Sequence, residues 1–436
     1  MTSPMRIITP TATFGLNLLR AERRRNPSKN VDISPLSVSL GLGMTYNGAR
    51  AITAAEMANV LGINPIKRGR ANAGYAQLLD RLAEDLGVEL AIANGIYADE
   101  SSHFHSEFLE TNESIFKAQV ERKNFGQSRT LDDINDFVFT KTKKKIKKIL
   151  EDLDPAAIMV LVNALYFKGD WSRKFDKNLT DLLPFLAPGG SNKHPTMFGQ
   201  WEMAYTQTDM AQVVQLPFGQ KQRVRLLAVL PTDGHSLDDV LAGLTGESLT
   251  DISTGLVSRE VKLWLPRHEG EYKSNLNDSL AEIGMPTAFG GGADFSGMRN
   301  IPPVVKIGRV QHATLFRMDE DGAELAAATA VEQVEECCFM PAPPVEMRVD
   351  RPFIKLIVDS ETGALISAGV IVNPEWTEAE KDGKDSGEPP MPGPDNPCLI
   401  GSGDVNYELI SGHEIAEVHT GGEPEVMITG GEPIEE

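Results

Sequence analysis

The residues best suited to chemistry lie in one short stretch, Glu335-Glu336-Cys337-Cys338, far along the chain. Adjacent cysteines have a poor geometry for a disulfide with each other, and no histidine lies close in sequence to activate Cys337. His103 and His105 could chelate a metal, but a histidine pair in a loop without nearby cysteine or acidic ligands is more often solvated. The chain also lacks the G-x-S-x-G, G-x-x-x-x-G-K-[ST], H-E-x-x-H and C-x-x-C motifs. We therefore expect a protein that is not an enzyme and that needs neither a metal nor a cofactor.

The net charge and its distribution limit the classes of macromolecule that this protein could bind. The chain has 436 residues, of which 41% are hydrophobic and 24% charged, as in ordinary globular proteins. Its net charge is −20, but residues 375–436 hold 16 acidic residues and two lysines and so account for −14 of it. Nothing gives the remainder the broad basic surface that nucleic acid binding requires. We expect no nucleic acid partner.

Cysteine use and apolar runs indicate the compartment. Three cysteines form no legible disulfide framework. The N-terminal residues lack the charged start and long apolar core of a signal peptide, and no apolar run approaches the ~20 residues that cross a bilayer. We expect a monomeric cytoplasmic protein without a membrane partner, while export by an unconventional route stays open.

A run of very small residues precedes the Glu-Cys-Cys stretch. Residues 323–330 include five alanines and follow an acidic turn at Gly322. Alternate side chains of an extended segment point to opposite faces. The residues on one face are Ala323, Leu325, Ala327 and Thr329. Small side chains suit a strand that must thread into a packed sheet; the plain alternative is a flexible alanine-rich surface loop.

The elements that position this segment change in type along the chain. Apolar spacing predicts helices over residues 11–25, 77–86 and 131–153, and Ser34-Pro35 suits the start of another, buried helix. β-Forming residues predict strands within 88–98, 157–171, 223–231, 260–272, 303–319, 346–359 and 363–373. Helices come first and strands later, which indicates an α+β fold and not an alternating βαβ pattern.

The chain changes character after Pro374. Residues 375–436 are rich in Pro, Gly and acids and repeat Thr-Gly-Gly-Glu-Pro at Thr420 and Thr429. Low hydrophobicity with high charge is typical of disorder, so we expect a disordered acidic tail. A short hairpin formed by residues 405–410 and 414–419 is the alternative.

Several motifs together resemble the serpin family of protease inhibitors. They occur in the family's order over residues 11–374 and include DISPLS at 32–37, LVNALYFKGDW at 161–171, QHATLFRMDEDGAELAAATA at 311–330 and GVIVNP at 369–374. The resemblance implies a serpin domain over 1–374 with three β-sheets, about nine helices and an exposed reactive-centre loop at about 320–349. It also implies a suicide inhibitor: a protease cleaves the loop, and the freed segment inserts into the central sheet and carries the acylated protease along.

The resemblance assigns a hinge to the small-residue segment. The hinge residues are Glu320, Gly322, Ala323, Leu325, Ala327 and Thr329. Leu325 departs from the alanine usual in the family, and overpacking of a tight path costs on the order of 1–3 kcal/mol. This residue favours the alternative of a non-inhibitory serpin, a binding or chaperone-like protein.

The scissile bond follows from the family's spacing. Fourteen positions after Gly322 the bond is Glu336–Cys337, which implies a granzyme-like or glutamyl-specific serine protease as the partner. The alternative bond, Phe339–Met340, suits a chymotrypsin-like or cathepsin-like protease.

Two further clusters are implied by the resemblance. A polar shutter beneath the centre of the large sheet comprises Ser34, Ser37, Asn163 and His312. At the breach, where insertion begins, the family pattern places Trp171, and Glu320 pairs with Arg267.

Overall fold

A computed structural model describes residues 7–64, 66–100, 103–157, 159–299, 305–322 and 343–377. The compact body spans Met1–Glu378, and a second unit is Ala379–Glu436. Of the predicted tail, residues 375–377 are described, and residues 378–436 lie outside the described residues. The loop residues Ala323, Leu325, Ala327, Thr329, Glu336 and Cys337 also lie outside them.

The described residues form nine α-helices and 14 strands. The helices are α1 Ile8–Arg25, α2 Pro35–Tyr46, α3 Ala51–Val60, α4 Arg68–Leu82, α5 Ser106–Phe116, α6 Ser128–Lys141, α7 Leu237–Gly243, α8 Gly246–Gly255 and α9 Asn277–Glu282. The strands are β1 Val31–Ile33, β2 Glu89–Asp99, β3 Gln119–Lys123, β4 Met159–Lys168, β5 Asp181–Ala187, β6 Gly190–Gln207, β7 Ala211–Pro217, β8 Val224–Pro231, β9 Val257–Pro266, β10 His268–Asn275, β11 Arg309–Met318, β12 Val345–Arg348, β13 Phe353–Asp359 and β14 Leu365–Ile371.

The strands form two hydrogen-bonded networks within the described residues. A five-stranded sheet has the order β10-β11-β4-β2-β3, and the other nine strands form a second network. The family resemblance predicts three sheets, and the described strands form two networks instead because β6 is 18 residues long. Its first part pairs with β5 and its last part with β7, while β9 pairs along most of it. One continuous strand thus joins two of the sheets.

Helix α2 lies buried beneath the five-stranded sheet. Ser34 caps it, since its side chain accepts a hydrogen bond from Ser37 N, and Pro35 occupies the first turn. All 12 residues of α2 are buried, and the helix packs against β2 and β4 on one side and β14 on the other. This is the buried helix that the sequence predicts.

The helix predicted over 131–153 is wrong beyond Lys141, where α6 ends. Lys143 and Lys144 adopt positive φ angles of 53° and 65°. The Asn135 side-chain oxygen accepts hydrogen bonds from Ile149 N at 2.9 Å and from Leu150 N at 3.0 Å. A side-chain acceptor therefore satisfies these amides, and both apolar residues are buried without a helix.

Other boundaries also differ from the sequence prediction. Of the strand predicted over 303–319, only Arg309–Met318 is strand among the described residues. The strand predicted over 346–359 is two, β12 and β13, which join different neighbours. Pro352 lies between them and has no amide hydrogen to continue a ladder. None of the helices in the described ranges combines the length and apolarity that a bilayer crossing requires.

Candidate functional site

The centre of the five-stranded sheet is a parallel pair, β4 and β11. Their register runs from Arg309 opposite Val160 to Leu315 opposite Tyr166. On either side of this pair, β10 pairs with β11 and β2 pairs with β4, both in antiparallel orientation. Both central strands point the same way, toward the end of the sheet where the small-residue segment begins.

A tight turn follows β11 at this end. Asp319 and Gly322 form an antiparallel bridge, so the chain has reversed direction by residue 322. Gly322 has φ = 101°, and a Cβ there would lie 2.3 Å from Trp171 N and 2.6 Å from Gly169 O. Only glycine fits this conformation and this approach to a neighbouring backbone.

The predicted partners Glu320 and Arg267 are in contact. Arg267 Nη2 lies 2.6 Å from Glu320 Oε1, and Arg267 Nε donates to both carboxylate oxygens. The Thr180 hydroxyl donates to the same carboxylate, which is buried. Two partners from separate segments of the chain therefore compensate the burial of this charge.

The two neighbouring acids of the turn have bases of their own. Asp319 pairs with Arg317 at 3.2 Å, and Asp321 pairs with Lys174 at 3.2 Å and Lys177 at 2.5 Å. Burial raises the pKa of Asp319. Burial acts in the same sense on Asp321, but hydrogen bonds from the two lysines lower its pKa overall. The turn is thus tied electrostatically to β11 and to the segment after Trp171.

Trp171 holds the turn from the β4 side. Its Nε1 donates to Asp319 O at 2.7 Å, and its backbone N donates to Asp321 O at 3.1 Å. The ring stacks on Phe218 with centroids 4.5 Å apart. The bulky aromatic therefore anchors the turn to the core through its edge and its backbone.

The four shutter residues lie around the middle of the parallel pair. Ser34 N donates to His312 Nε2 at 3.0 Å, and Ser34 Oγ donates to Ile366 O at 2.8 Å. Ser37 Oγ donates to Asn94 Oδ1 at 2.9 Å. The start of α2 is therefore hydrogen-bonded to the underside of the sheet at the position where β4 and β11 meet.

Asn94, Asn163 and His312 are aligned across three adjacent strands. Both polar atoms of the Asn163 side chain lie buried without a hydrogen-bond partner among the described residues. Its Oδ1 would lie 2.1 Å from a Cβ at Gly41 of α2, so glycine makes room for it. Unsatisfied buried polar groups are costly, so the Asn163 side chain destabilises the sheet at this position.

His312 is neutral at physiological pH. Burial lowers its pKa to about 4. Because Nε2 accepts the Ser34 amide hydrogen, the ring proton resides on Nδ1. This nitrogen lies near the Asn163 backbone but makes no hydrogen bond of standard geometry.

Sequence reasoning missed Asn94, Thr180 and the pairing of Asp321. Asn94 had a visible signal, since it is a polar residue inside the apolar run at 88–98. Thr180 had none, because only the approach of β5 to the turn brings it to Glu320. Beyond Gly322 the described chain resumes at residue 343 and enters β12, which pairs with β9.

Comparison with known proteins finds relatives by sequence and by fold. The family model for Serpin (serine protease inhibitor) matches residues 9–374. Serpin B6 of Pongo abelii is 32% identical over 376 residues, covering 83% of this chain and 98% of the relative. The native structure of the thermophilic serpin tengpin is 29% identical with a TM-score of 0.77, covering 84% of this chain and 93% of tengpin.

A third relative is human thyroxine-binding globulin, solved in complex with thyroxine. It is 26% identical with a TM-score of 0.78, covering 86% of this chain and all of the globulin. The family model extends from α1 to just beyond β14, and the relatives are matched over most of their length. The chain therefore belongs to the serpin family.

Proposed function

We propose that this serpin is a suicide inhibitor of a serine protease and that residues 323–330 insert between β4 and β11 after cleavage. The observation that carries the proposal is the parallel β4–β11 pair, with a reversing turn at the end of β11. A strand that returns from this turn runs antiparallel to both neighbours. It would replace one parallel contact by two antiparallel ones, which are slightly more stable per residue.

The bridge between Asp319 and Gly322 predicts the register of that strand. Continued along β11, it puts Ala323 opposite Met318, and each later residue follows one step back. The remaining pairs on that face are Leu325 with Phe316, Ala327 with Thr314, and Thr329 with His312. All four β11 residues are buried, which supports the assignment of this face to the core.

Two positions in this register have specific chemistry. Thr329 arrives beside His312 and Asn163, where its hydroxyl can meet polar atoms that lack partners. Leu325 arrives beside Phe316, whose ring already packs in the core. We therefore expect Leu325 to slow insertion, and Thr329 to stabilise the inserted state.

We propose Glu336–Cys337 as the scissile bond, and a granzyme-like or glutamyl-specific protease as the target. A carboxylate before the bond selects a basic specificity pocket, since an acidic pocket would face it with a like charge. The sparse cysteines favour a reducing compartment, the cytoplasm, as the place of action.

The experiment is a mixture of the purified protein with a glutamyl-specific protease, analysed by denaturing gel and mass spectrometry. We expect an SDS-stable covalent complex and a released fragment that begins at Cys337. A fragment that begins at Met340 would move the bond to Phe339 and the target to a chymotrypsin-like or cathepsin-like protease. Complete cleavage without any complex would contradict inhibition and favour a non-inhibitory serpin.

A second candidate function is binding of a small ligand with both apolar and charged groups. A cavity of about 430 Å³ lies between α1, α8 and the chain after β13, with Ala12, Leu249 and Val358 in its lining and Arg225 as its cation. A related serpin is solved with thyroxine. Thyroxine should raise the melting temperature of this protein if the cavity is a binding site, and Ala12→Trp should remove that shift; no shift excludes this ligand.

A further inference from the structure

Glu375 and Trp376 lie directly after residue 374, where the family match ends. Glu375 N donates to His268 Nδ1 at 3.2 Å, and Glu269 N donates to Glu375 O at 2.7 Å. Asn30 Nδ2 also donates to the Glu375 side chain at 3.2 Å. These hydrogen bonds fix the chain against the start of β10 and bring Trp376 to the hinge end of the five-stranded sheet.

The Trp376 ring contacts two arginines. The guanidinium carbon of Arg317 lies 4.5 Å from the ring centroid, and that of Arg267 lies 5.0 Å from it. Both distances are within the range of cation–π attraction, which strengthens as the groups become shielded from water. Trp376 is half-buried, so the ring gives each arginine a partly desolvated contact.

The same two arginines hold the hinge turn. Arg267 forms the ion pair with Glu320 at 2.6 Å, and Arg317 pairs with Asp319 at 3.2 Å and with Glu269 at 3.1 Å. An arginine confined by an aromatic ring loses less rotamer freedom when it binds a carboxylate. A continuous series of contacts therefore links Trp376, through the two arginines, to the turn that precedes the inserting segment.

We propose that Trp376 is a positioning residue for loop insertion. It holds Arg267 and Arg317 against Glu320 and Asp319, and so keeps the hinge turn closed in the uncleaved protein. This inference rests on the proposed inhibitory function, because the inserting segment begins directly after that turn and must move from it into the sheet. It also moves the predicted boundary of the tail, since the sequence pattern assigns residue 376 to the disordered acidic region.

Two truncations test this boundary. One chain ends at Thr377 and loses only the remaining tail, while its matched partner ends at Pro374 and also loses Trp376. Both are incubated uncleaved at a fixed elevated temperature, and conversion to a heat-resistant, loop-inserted form is timed. We expect the chain ending at Thr377 to convert at the full-length rate, and the chain ending at Pro374 about tenfold faster. Equal rates for the two truncations would overturn the proposal.

Point variants test whether the aromatic ring of Trp376, and not the rest of the segment, slows the conversion. In the full-length protein, Trp376→Ala should accelerate conversion as the shorter truncation does, and Trp376→Phe should restore much of the wild-type rate because it keeps an aromatic face. A phenylalanine variant as fast as the alanine variant would contradict a role for the ring.

A double-mutant cycle with Glu320→Gln tests whether Trp376 acts through the hinge. The urea midpoint of the uncleaved protein is measured for the wild type, both single variants and the double variant. Coupling predicts that Trp376→Ala shifts the midpoint at most about half as far in the Glu320→Gln background. Additive shifts would show a local packing role and overturn the inference. This equilibrium readout needs no protease, so it stays decisive even if the protein forms no inhibitory complex.

Discussion

The backbone conformation of one residue, Gly322, affects the behaviour of the whole sheet. Its positive φ reverses the chain after β11, and the neighbouring backbone leaves no room for a side chain. The three acids before it are each paired with bases on other elements. The turn thus defines where the inserting segment starts, and the spacing from this glycine leads to the residue before the proposed bond.

Glu336→Arg should change the target class. The side chain before the bond enters the protease pocket, and a lost charge pair there costs ~2–5 kcal/mol. Inhibition of a glutamyl-specific protease should fall by at least about 30-fold, and a trypsin-like protease should become a target. Association rate constants with both proteases provide the measurement.

Glu335→Arg is the matched control, because it makes the same charge change one residue from the proposed bond. It should leave the preference for a glutamyl-specific protease in place. A switch caused by Glu335→Arg and not by Glu336→Arg would move the bond by one residue.

The buried histidines predict a pH dependence of stability. Burial lowers the pKa of His268 to about 3 and that of His312 to about 4, below the ordinary value near 6.5. The unfolded chain therefore binds more protons below pH 6.5, and the stabilisation is complete above that pH. Each histidine should remove about 1.4 kcal/mol per pH unit until its folded pKa is reached. Urea midpoints of the uncleaved protein between pH 7.5 and 4.5 test this.

His312→Asn should make that pH dependence shallower, whereas His235→Gln, at an exposed histidine, should leave it unchanged. A pH-independent midpoint over this range would contradict the burial of both rings in the neutral form.

At the scale of elements, the sequence predicts most central strands but not their edges or partners. Residues 157–171 and 223–231 contain β4 and β8 because buried strands consist of continuous β-formers. The sequence pattern did not predict β5 and β6, whose exposed positions carry polar and apolar residues alike. The helix predicted over 131–153 ends at Lys141, because the Asn135 side chain accepts hydrogen bonds from the amides of Ile149 and Leu150 that a longer helix would use. Contacts made through tertiary approach, such as that of Thr180 with Glu320, have no local signature.

Ala327→Arg should convert the inhibitor into a substrate. The proposed register puts residue 327 opposite Thr314, which is buried, and an unpaired charge there costs several kcal/mol. The protease would then deacylate before insertion is complete. The measurement is the ratio of covalent complex to cleaved serpin on a denaturing gel.

Ala342→Arg is the control for that variant, since it adds the same charge on the far side of the bond, where nothing inserts. Its complex yield should equal that of the wild type. An unchanged yield for Ala327→Arg would reject the register derived from the Asp319–Gly322 bridge.

At the scale of the whole molecule, the described state has its two central strands in direct parallel contact. Insertion of a strand would replace this parallel ladder by two antiparallel ones and bury more apolar surface. The uncleaved fold is therefore expected to have a higher free energy than the cleaved one, and the covalent continuity of the loop keeps it there.

Cleavage of the loop should raise the melting temperature by about 13 °C, since about ten new backbone hydrogen bonds contribute on the order of 10 kcal/mol and the unfolding entropy of a body of this size is about 0.8 kcal/mol per °C. Differential scanning calorimetry of intact and cleaved protein measures this. The cleaved Ala327→Arg variant should melt close to its intact form, and an unshifted wild type would exclude insertion.

The pairing of β14 with β1 sets an order for folding. Val370 lies opposite Val31, so this sheet closes only after nearly the whole body has left the ribosome. Residues 323–342 emerge before β12 and β13, whose pairing with β9 and β8 fixes the far end of the loop. During that interval the far end of the loop has no strand partner, and under the proposed mechanism self-insertion would compete with closure. We therefore expect variants that delay the last three strands to accumulate as inert, very stable monomers.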